Sequence, residues 1–245
     1  MKELSKSIQR RLSNPNFITK YLNGDGLDVG GKSDPLCLYA GLFPNIKSAR
    51  TWDMEDGDAQ YLATIGDDSL DFVHSSHCLE HMLDPATALS NWLRVIKPGG
   101  YLVVTVPDED LYEQGVFPSA FNKDHKWTFT MFKEKSWSPN SINVVSLVQA
   151  LGASADVVKL ELVDSTYRYD LPRYDQTLAP VGECCIEVII RKRHAAEMDV
   201  GGRLPNAGVE VSEELRIHLN QYRDDHNTLK SANPARPPFG NKNPL

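Results

Sequence analysis

The sequence predicts an α/β fold of Rossmann-like type: a mainly parallel, seven-stranded sheet with helices on both faces and an antiparallel strand at its C-terminal edge. Two observations predict it. Short apolar runs alternate with helical segments of about 10–15 residues, the pattern of βαβ units. The first run ends in Gly30-Gly31 and the second ends in Asp53, so that polar and glycine residues collect at strand ends.

Taken in order, residues 3–22 carry Leu4, Ile8, Leu12, Ile18 and Leu22 at roughly helical spacing, broken by Asn14-Pro15-Asn16, and predict one or two helices covering the domain entrance. Residues 26–30 form the first strand, and Asp34-Pro35 supplies an N-cap and first-turn proline for a helix through Leu42. A second strand fits residues 49–53, a short helix residues 59–65, and a third strand residues 70–74. Asp84-Pro85 opens a helix whose apolar face is Ala88, Leu89, Trp92, Leu93 and Ile96, and Lys97-Pro98-Gly99-Gly100 stops it. Residues 101–106 read as a buried strand. After a long aromatic connection over 107–138, a helix is expected at 140–151 and two strands at 157–163 and 184–191, paired as an antiparallel edge. The boundaries expected are a helical cover at 1–23, the main domain at 24–193 with 107–138 as an insertion, and a polar helix within 212–229 followed by a proline-bearing tail in 194–245.

Composition narrows the function. With 33 acidic against 26 basic residues the formal charge is −7, which disfavours broad attraction to nucleic acid or anionic membranes and favours a small or neutral substrate. No apolar run approaches the ~20 residues of a membrane span and the N-terminus is polar, so a cytoplasmic location is expected. Cys37, Cys78, Cys184 and Cys185 contain no CxxC pair and read as reduced thiols.

In an open parallel sheet a ligand binds beyond the carboxyl ends of the strands. Glycines at 30 and 31 let backbone pass close to a ligand, and Asp53 can accept from both hydroxyls of a ribose. Asp58-Ala59 can meet an adenine amine while Leu62 or Met54 packs on the ring. Ser75, Ser76 and His77 end the third strand at the same crevice. These features together point to a nucleoside-like ligand.

Four segments, 27–31 (LDVGG), 56–60 (DGDAQ), 70–81 (LDFVHSSHCLEH) and 92–100 (WLRVIKPGG), taken in order and spacing, resemble the class I S-adenosylmethionine-dependent methyltransferase superfamily, in particular its small-molecule and glycan-modifying branch. That resemblance implies S-adenosylmethionine as cofactor. It places Asp28, Gly30 and Gly31 by the methionine portion, Asp53 by the ribose, Asp58 and Ala59 by the adenine, and Ser75, Ser76 and His77 near the sulfonium. Where the family usually carries further glycines, this chain has Lys32 and Asp34, which argues against pyrophosphate binding.

Methyl transfer requires alignment, exclusion of water and, for a hydroxyl acceptor, removal of a proton; no metal is expected to be needed. His77 is one candidate base, with helix capping or backbone bonding as its alternative role, and His125 in the 107–138 insertion is the other. Asp108, Tyr112, Asp124, His125 and Trp127 are the expected acceptor-binding residues, with Phe117, Phe121 and Phe129 either walling the pocket or packing a lid. His77-Cys78-Leu79-Glu80-His81 also matches the H-x-x-E-H signature of zinc hydrolases, but the signature requires one helix, whereas here it follows a strand and precedes a new helix start. Glu80 and His81 are instead expected to brace that helix. O-methylation of a small molecule or saccharide is the expected activity, with a catalytically silent cofactor-binding protein or a zinc hydrolase as alternatives.

Overall fold

A computed structural model describes residues 2–203. Its main sheet has the order β2-β1-β3-β4-β8-β7, from β1 (Gly24–Val29), β2 (Ile46–Trp52), β3 (Leu70–Ser76), β4 (Ile96–Pro107), β7 (Ala155–Val163) and β8 (Cys185–Lys192). A small parallel pair, β5 (Thr128–Thr130) and β6 (Ser141–Asn143), stands apart. The first four strands of the main sheet run parallel, while β8 lies antiparallel to both β4 and β7, so the antiparallel pairing of the last two strands is as expected.

Six strands, not seven, make up this sheet among the described residues. The link between β2 and β3 is acidic and glycine-rich, and in place of the helix expected at 59–65 it forms only a 3-10 turn, Met54–Asp56, and further turns. Leu62, the large apolar residue of the link that is fully buried, adopts φ +45 and packs inward into the core instead of facing a ligand.

Alternation along the strands sends opposite residues to two cores. On one face Leu27, Val73, Leu102, Val104, Ile186 and Val188 meet α2 (Pro85–Arg94) and α3 (Val144–Gln149). On the other, Phe72, Val103 and Ile189 meet α1 (Glu3–Leu12), the π-helical turn Phe17–Tyr21 and the 3-10 turn Leu36–Leu42. The cap of α2 is as the sequence implies: Asp84 accepts from the backbone of Ala86 and Thr87, with proline in the first turn. The glycines of residues 97–100 do not stop that helix. Ile96 already pairs with Leu70, and a Cβ on Gly100 would lie 2.4 Å from the Asp71 carbonyl, so these residues let β4 pass close to β3.

Beneath α1 runs a chain of buried charge. Arg11 donates to Glu187 at 3.1 and 3.2 Å and, through its other terminal nitrogen, to His74 Nε2 at 2.8 Å. Because a guanidinium can only donate, His74 Nε2 must be the accepting nitrogen, which leaves its Nδ1–H to donate to Asp28 Oδ1 at 2.6 Å. Arg10 and Lys159 also reach Glu187. Burial would raise the Glu187 carboxyl, but Arg11 and Arg10 outweigh it and hold the group down at about 2. The basic run at the end of β8 is also paired: Arg191 binds Asp156 and Glu197, and Lys192 binds Asp68. The polar helix and tail expected beyond residue 203 lie outside the described residues.

Candidate active site

The strand order reverses between β1 and β3, and a cleft of about 940 Å3 opens at that point, beyond the carboxyl ends of β1, β2 and β3. The start of α1 contributes Glu3 and Leu4 to its wall, and the 107–138 insertion contributes Tyr112 and residues 122–126.

The expected cofactor end is assembled from β1 and β2. Gly30 has φ +77, and a Cβ there would sit 2.6 Å from Cys78 Sγ; at Gly31 it would sit 2.0 Å from Asp28 Oδ2. A side chain at either position would collide with Cys78 or Asp28, so only glycine lets the loop form this tight cradle at the edge of the cleft. Asp28 is buried and supports the loop: its Oδ2 accepts from Leu36 N at 2.7 Å, so Asp28, not Asp34, holds the start of the 3-10 turn. Asp34 instead accepts from Ser5 N and the Tyr39 hydroxyl. Asp53 stands at the end of β2, where it caps the following turn through Met54 N at 2.8 Å and meets Lys32 N at 3.3 Å. Asp58, Ala59 and the highly exposed Met54 line the same end. This cradle with an acidic strand end fits an adenosine-methionine ligand.

Ser75 does not join them. It lies on the opposite face of β3, fully buried, with its hydroxyl donating to Val29 O at 3.2 Å. Ser76 does line the cleft and accepts from Thr105 at 3.1 Å. His77, at φ +54, turns the chain out of β3 into the cleft. Burial, with His125, Lys6 and Arg11 nearby, depresses its imidazole to about 3, which suits a neutral hydrogen-bonding group better than a base.

The far end of the cleft is built on the short turn Leu79–His81 and the strap that crosses it. Lys126 N donates to Glu80 O at 2.9 Å, Lys126 Nζ to His81 O at 2.6 Å, and Trp127 Nε1 to Met82 O at 3.0 Å. These bonds seat His125 against Glu80, with His125 Nε2 3.9 Å from Glu80 Oε1. On its other side His125 Nδ1 meets Glu113 Oε1 at 2.6 Å. Glu113 and Tyr112 come from a π-helical turn, Glu109–Glu113, a geometry often found at functional sites. The Tyr112 hydroxyl and both Glu80 oxygens are buried without a hydrogen-bond partner among the described residues. Burial pushes the Glu80 carboxyl up to about 7, with the adjacent His125 opposing.

Other expected acceptor residues have structural work. Asp108 lies outside the cleft and caps the π-helical turn, accepting from Asp110 N and Leu111 N at 2.9 and 3.1 Å. Trp127 is tied to Met82 and packs on the core, while Phe129 is fully buried and Phe121 packs on Tyr112. Asp124 is exposed at the cleft, and its carbonyl meets His81 Nδ1 at 3.1 Å. The requirement that His77, Glu80 and His81 share a helix also fails, since a positive-φ residue and a 3-10 turn replace it. Glu80 and Glu113 are the residues whose placement the sequence reading missed. The H-x-x-E-H match was the signal for Glu80; Glu113 had none.

Comparison with known proteins agrees with this geometry. The model of a methyltransferase-domain family matches residues 43–104, from before β2 to within β4. Among solved structures, one described as an S-adenosylmethionine-dependent methyltransferase from Listeria monocytogenes superposes with a TM-score of 0.52 at 14% identity, covering 79% of this chain and all 100% of that one. At that identity the likeness concerns the fold. A SAM-dependent methyltransferase from Archaeoglobus fulgidus is 20% identical, with a TM-score of 0.48 and coverage of 78% of this chain and 95% of the other. No curated protein matches the chain. The domain match supports a methyltransferase domain with S-adenosylmethionine as its cofactor.

Proposed function

We propose that the protein methylates a hydroxyl of a small molecule or saccharide, with S-adenosylmethionine held at the β1–β2 end of the cleft and the acceptor at the Glu80–His125 end. One observation carries this reading: a single cleft of about 940 Å3 joins the Gly30–Asp53 cradle to a buried histidine–carboxylate cluster. When bound, the cofactor supplies an activated methyl group. The chain's own residues bind, orient and dry the site. Gly30 and Gly31 admit the methionine portion, Asp53 receives the ribose hydroxyls, and Asp58 and Ala59 flank the base. His77 stands between the two ends as a neutral imidazole.

At the acceptor end, the unpartnered Tyr112 hydroxyl and the polar side chains of Asn122, Lys123, Asp124 and Lys126 suit a substrate rich in hydroxyl groups. Glu113 fixes the His125 ring through Nδ1, so that Nε2 faces Glu80 and the cleft, where the acceptor proton is to be lost. The test is transfer of a labelled methyl group to a panel of sugars, nucleotide sugars and phenols, alongside calorimetry with S-adenosylhomocysteine. Micromolar binding with labelling of a hydroxyl compound is the expected result. Absence of homocysteine-nucleoside binding by folded protein would sink the reading.

A further inference from the structure

We infer that Glu80, His81 and His125 form a binding site for one divalent transition-metal ion of the zinc type, at the acceptor end of the cleft. Their potential ligand atoms all lie within 4.8 Å of one another, and Glu80 Oε1 is 3.9 Å from the Nε2 of each histidine. Metal–ligand bonds of about 2.0–2.2 Å place neighbouring ligand atoms roughly 3.4 Å apart, so small side-chain rotations bring the set to bonding distance.

Three further features distinguish this cluster from a chance grouping. Glu80 is completely buried, yet neither carboxylate oxygen has a hydrogen-bond partner among the described residues, a costly arrangement unless a cation completes it. Both imidazoles are held from behind: His81 Nδ1 is 3.1 Å from the Asp124 carbonyl, and His125 Nδ1 is 2.6 Å from Glu113 Oε1. A backbone carbonyl accepts only, so His81 carries its proton on Nδ1 and presents a lone pair at Nε2; the Glu113 carboxylate sets the same tautomer in His125. Metal-bound histidines are oriented in this way by carboxylates and carbonyls. Finally, the strap over 122–126 locks the two histidine-bearing segments together, so the set is preorganised.

Two imidazoles and one carboxylate suit zinc or ferrous iron, whereas Mg2+ and Ca2+ prefer oxygen ligands. Three protein ligands leave an open position, and all three ligands line the cleft. Resting on the proposed function, that position receives the acceptor hydroxyl, which the ion orients and acidifies, its proton passing to solvent. The site departs from the sequence expectation that no metal is needed, and it does not use His77 as the zinc-hydrolase signature would.

The experiment titrates chelator-treated, full-length protein with Zn2+ by calorimetry, with Mg2+ as a comparison, and separately with S-adenosylhomocysteine. One Zn2+ per chain, undisturbed by Mg2+, is expected. Binding should fall more than tenfold in His81→Ala and vanish in the His81→Ala, His125→Ala double variant, with affinity for S-adenosylhomocysteine and thermal unfolding retained. No saturable Zn2+ binding by the wild type, or undiminished binding by the folded double variant, overturns the site. Zinc binding without homocysteine-nucleoside binding supports the site and removes the methyltransferase reading; the converse removes the site alone.

Discussion

Glu187 and Glu80 are both completely buried carboxylates, yet their surroundings differ as much as two such groups can. Glu187 receives Arg10, Arg11 and Lys159. Glu80 has the edge of two histidines and no hydrogen-bond donor among the described residues. Glu109 belongs with Glu187, since its carboxylate accepts from Thr128, Lys133, Ser136 and Ser141 and so anchors the insertion. Carboxylates that are fully satisfied hold elements in place: Glu187 joins α1 to the sheet, and Glu109 joins the π-helical turn to β5 and β6. One left unsatisfied beside a cleft is instead available to a ligand.

The largest effect that would break this comparison is on stability. Glu187→Gln should cost about 3–5 kcal/mol in denaturant unfolding, because it leaves buried guanidinium charge without its partner. Glu80→Gln in chelator-treated protein should change stability by less than about 1 kcal/mol or raise it, since it removes a buried charge that lacks donors. Equal losses in the two variants would end the distinction. The pH dependence sharpens it. Glu187 is lowered from its usual 4.5 to about 2, so its contribution is complete above about pH 4.5 and is lost as the pH falls towards 2. Acid unfolding of wild type should therefore be steeper in that window than that of Glu187→Gln.

Next in size, Asp53→Ala should weaken S-adenosylhomocysteine binding by about 1.5–3 kcal/mol, read by calorimetry, through loss of a charged acceptor. Asp53→Asn, which keeps an acceptor for the turn, separates capping from ligand binding. Glu113→Ala should lower turnover about 10–100-fold while leaving cofactor affinity intact, because it frees the His125 ring without touching the other end of the cleft. A parallel fall in cofactor affinity would show that Glu113 only supports the fold. The smallest effect is that of Ser75→Ala, about 1 kcal/mol of stability with no change in cofactor binding, since its hydroxyl serves β1 on the far side of the sheet.

Much of the fold was legible because its signals are local. The strand cores, the Asp84-Pro85 helix start and the glycines after β1 each follow from spacing and backbone permissiveness over a few residues. The same locality explains the errors. Asp108 ends a strand near the crevice, yet it caps a turn that sequence could not reveal as π-helical. Trp127 belongs to the segment that binds the cleft, but its ring faces the core. Ser75 and Ser76 are neighbours, and the two-residue period of a strand sends one to each face.

By itself the sequence determined where the strand cores lie, that glycine lets the first loop run close to its neighbours, and that an acidic group ends the second strand. Only the tertiary structure decided that His125 and Glu113, from the insertion, meet Glu80 and His81 after β3. It alone decided that Arg11 reaches from α1 to Glu187 on β8. Patterning records which face of an element is apolar, whereas a buried polar pair depends on how distant segments of chain cross, and no periodicity encodes that crossing.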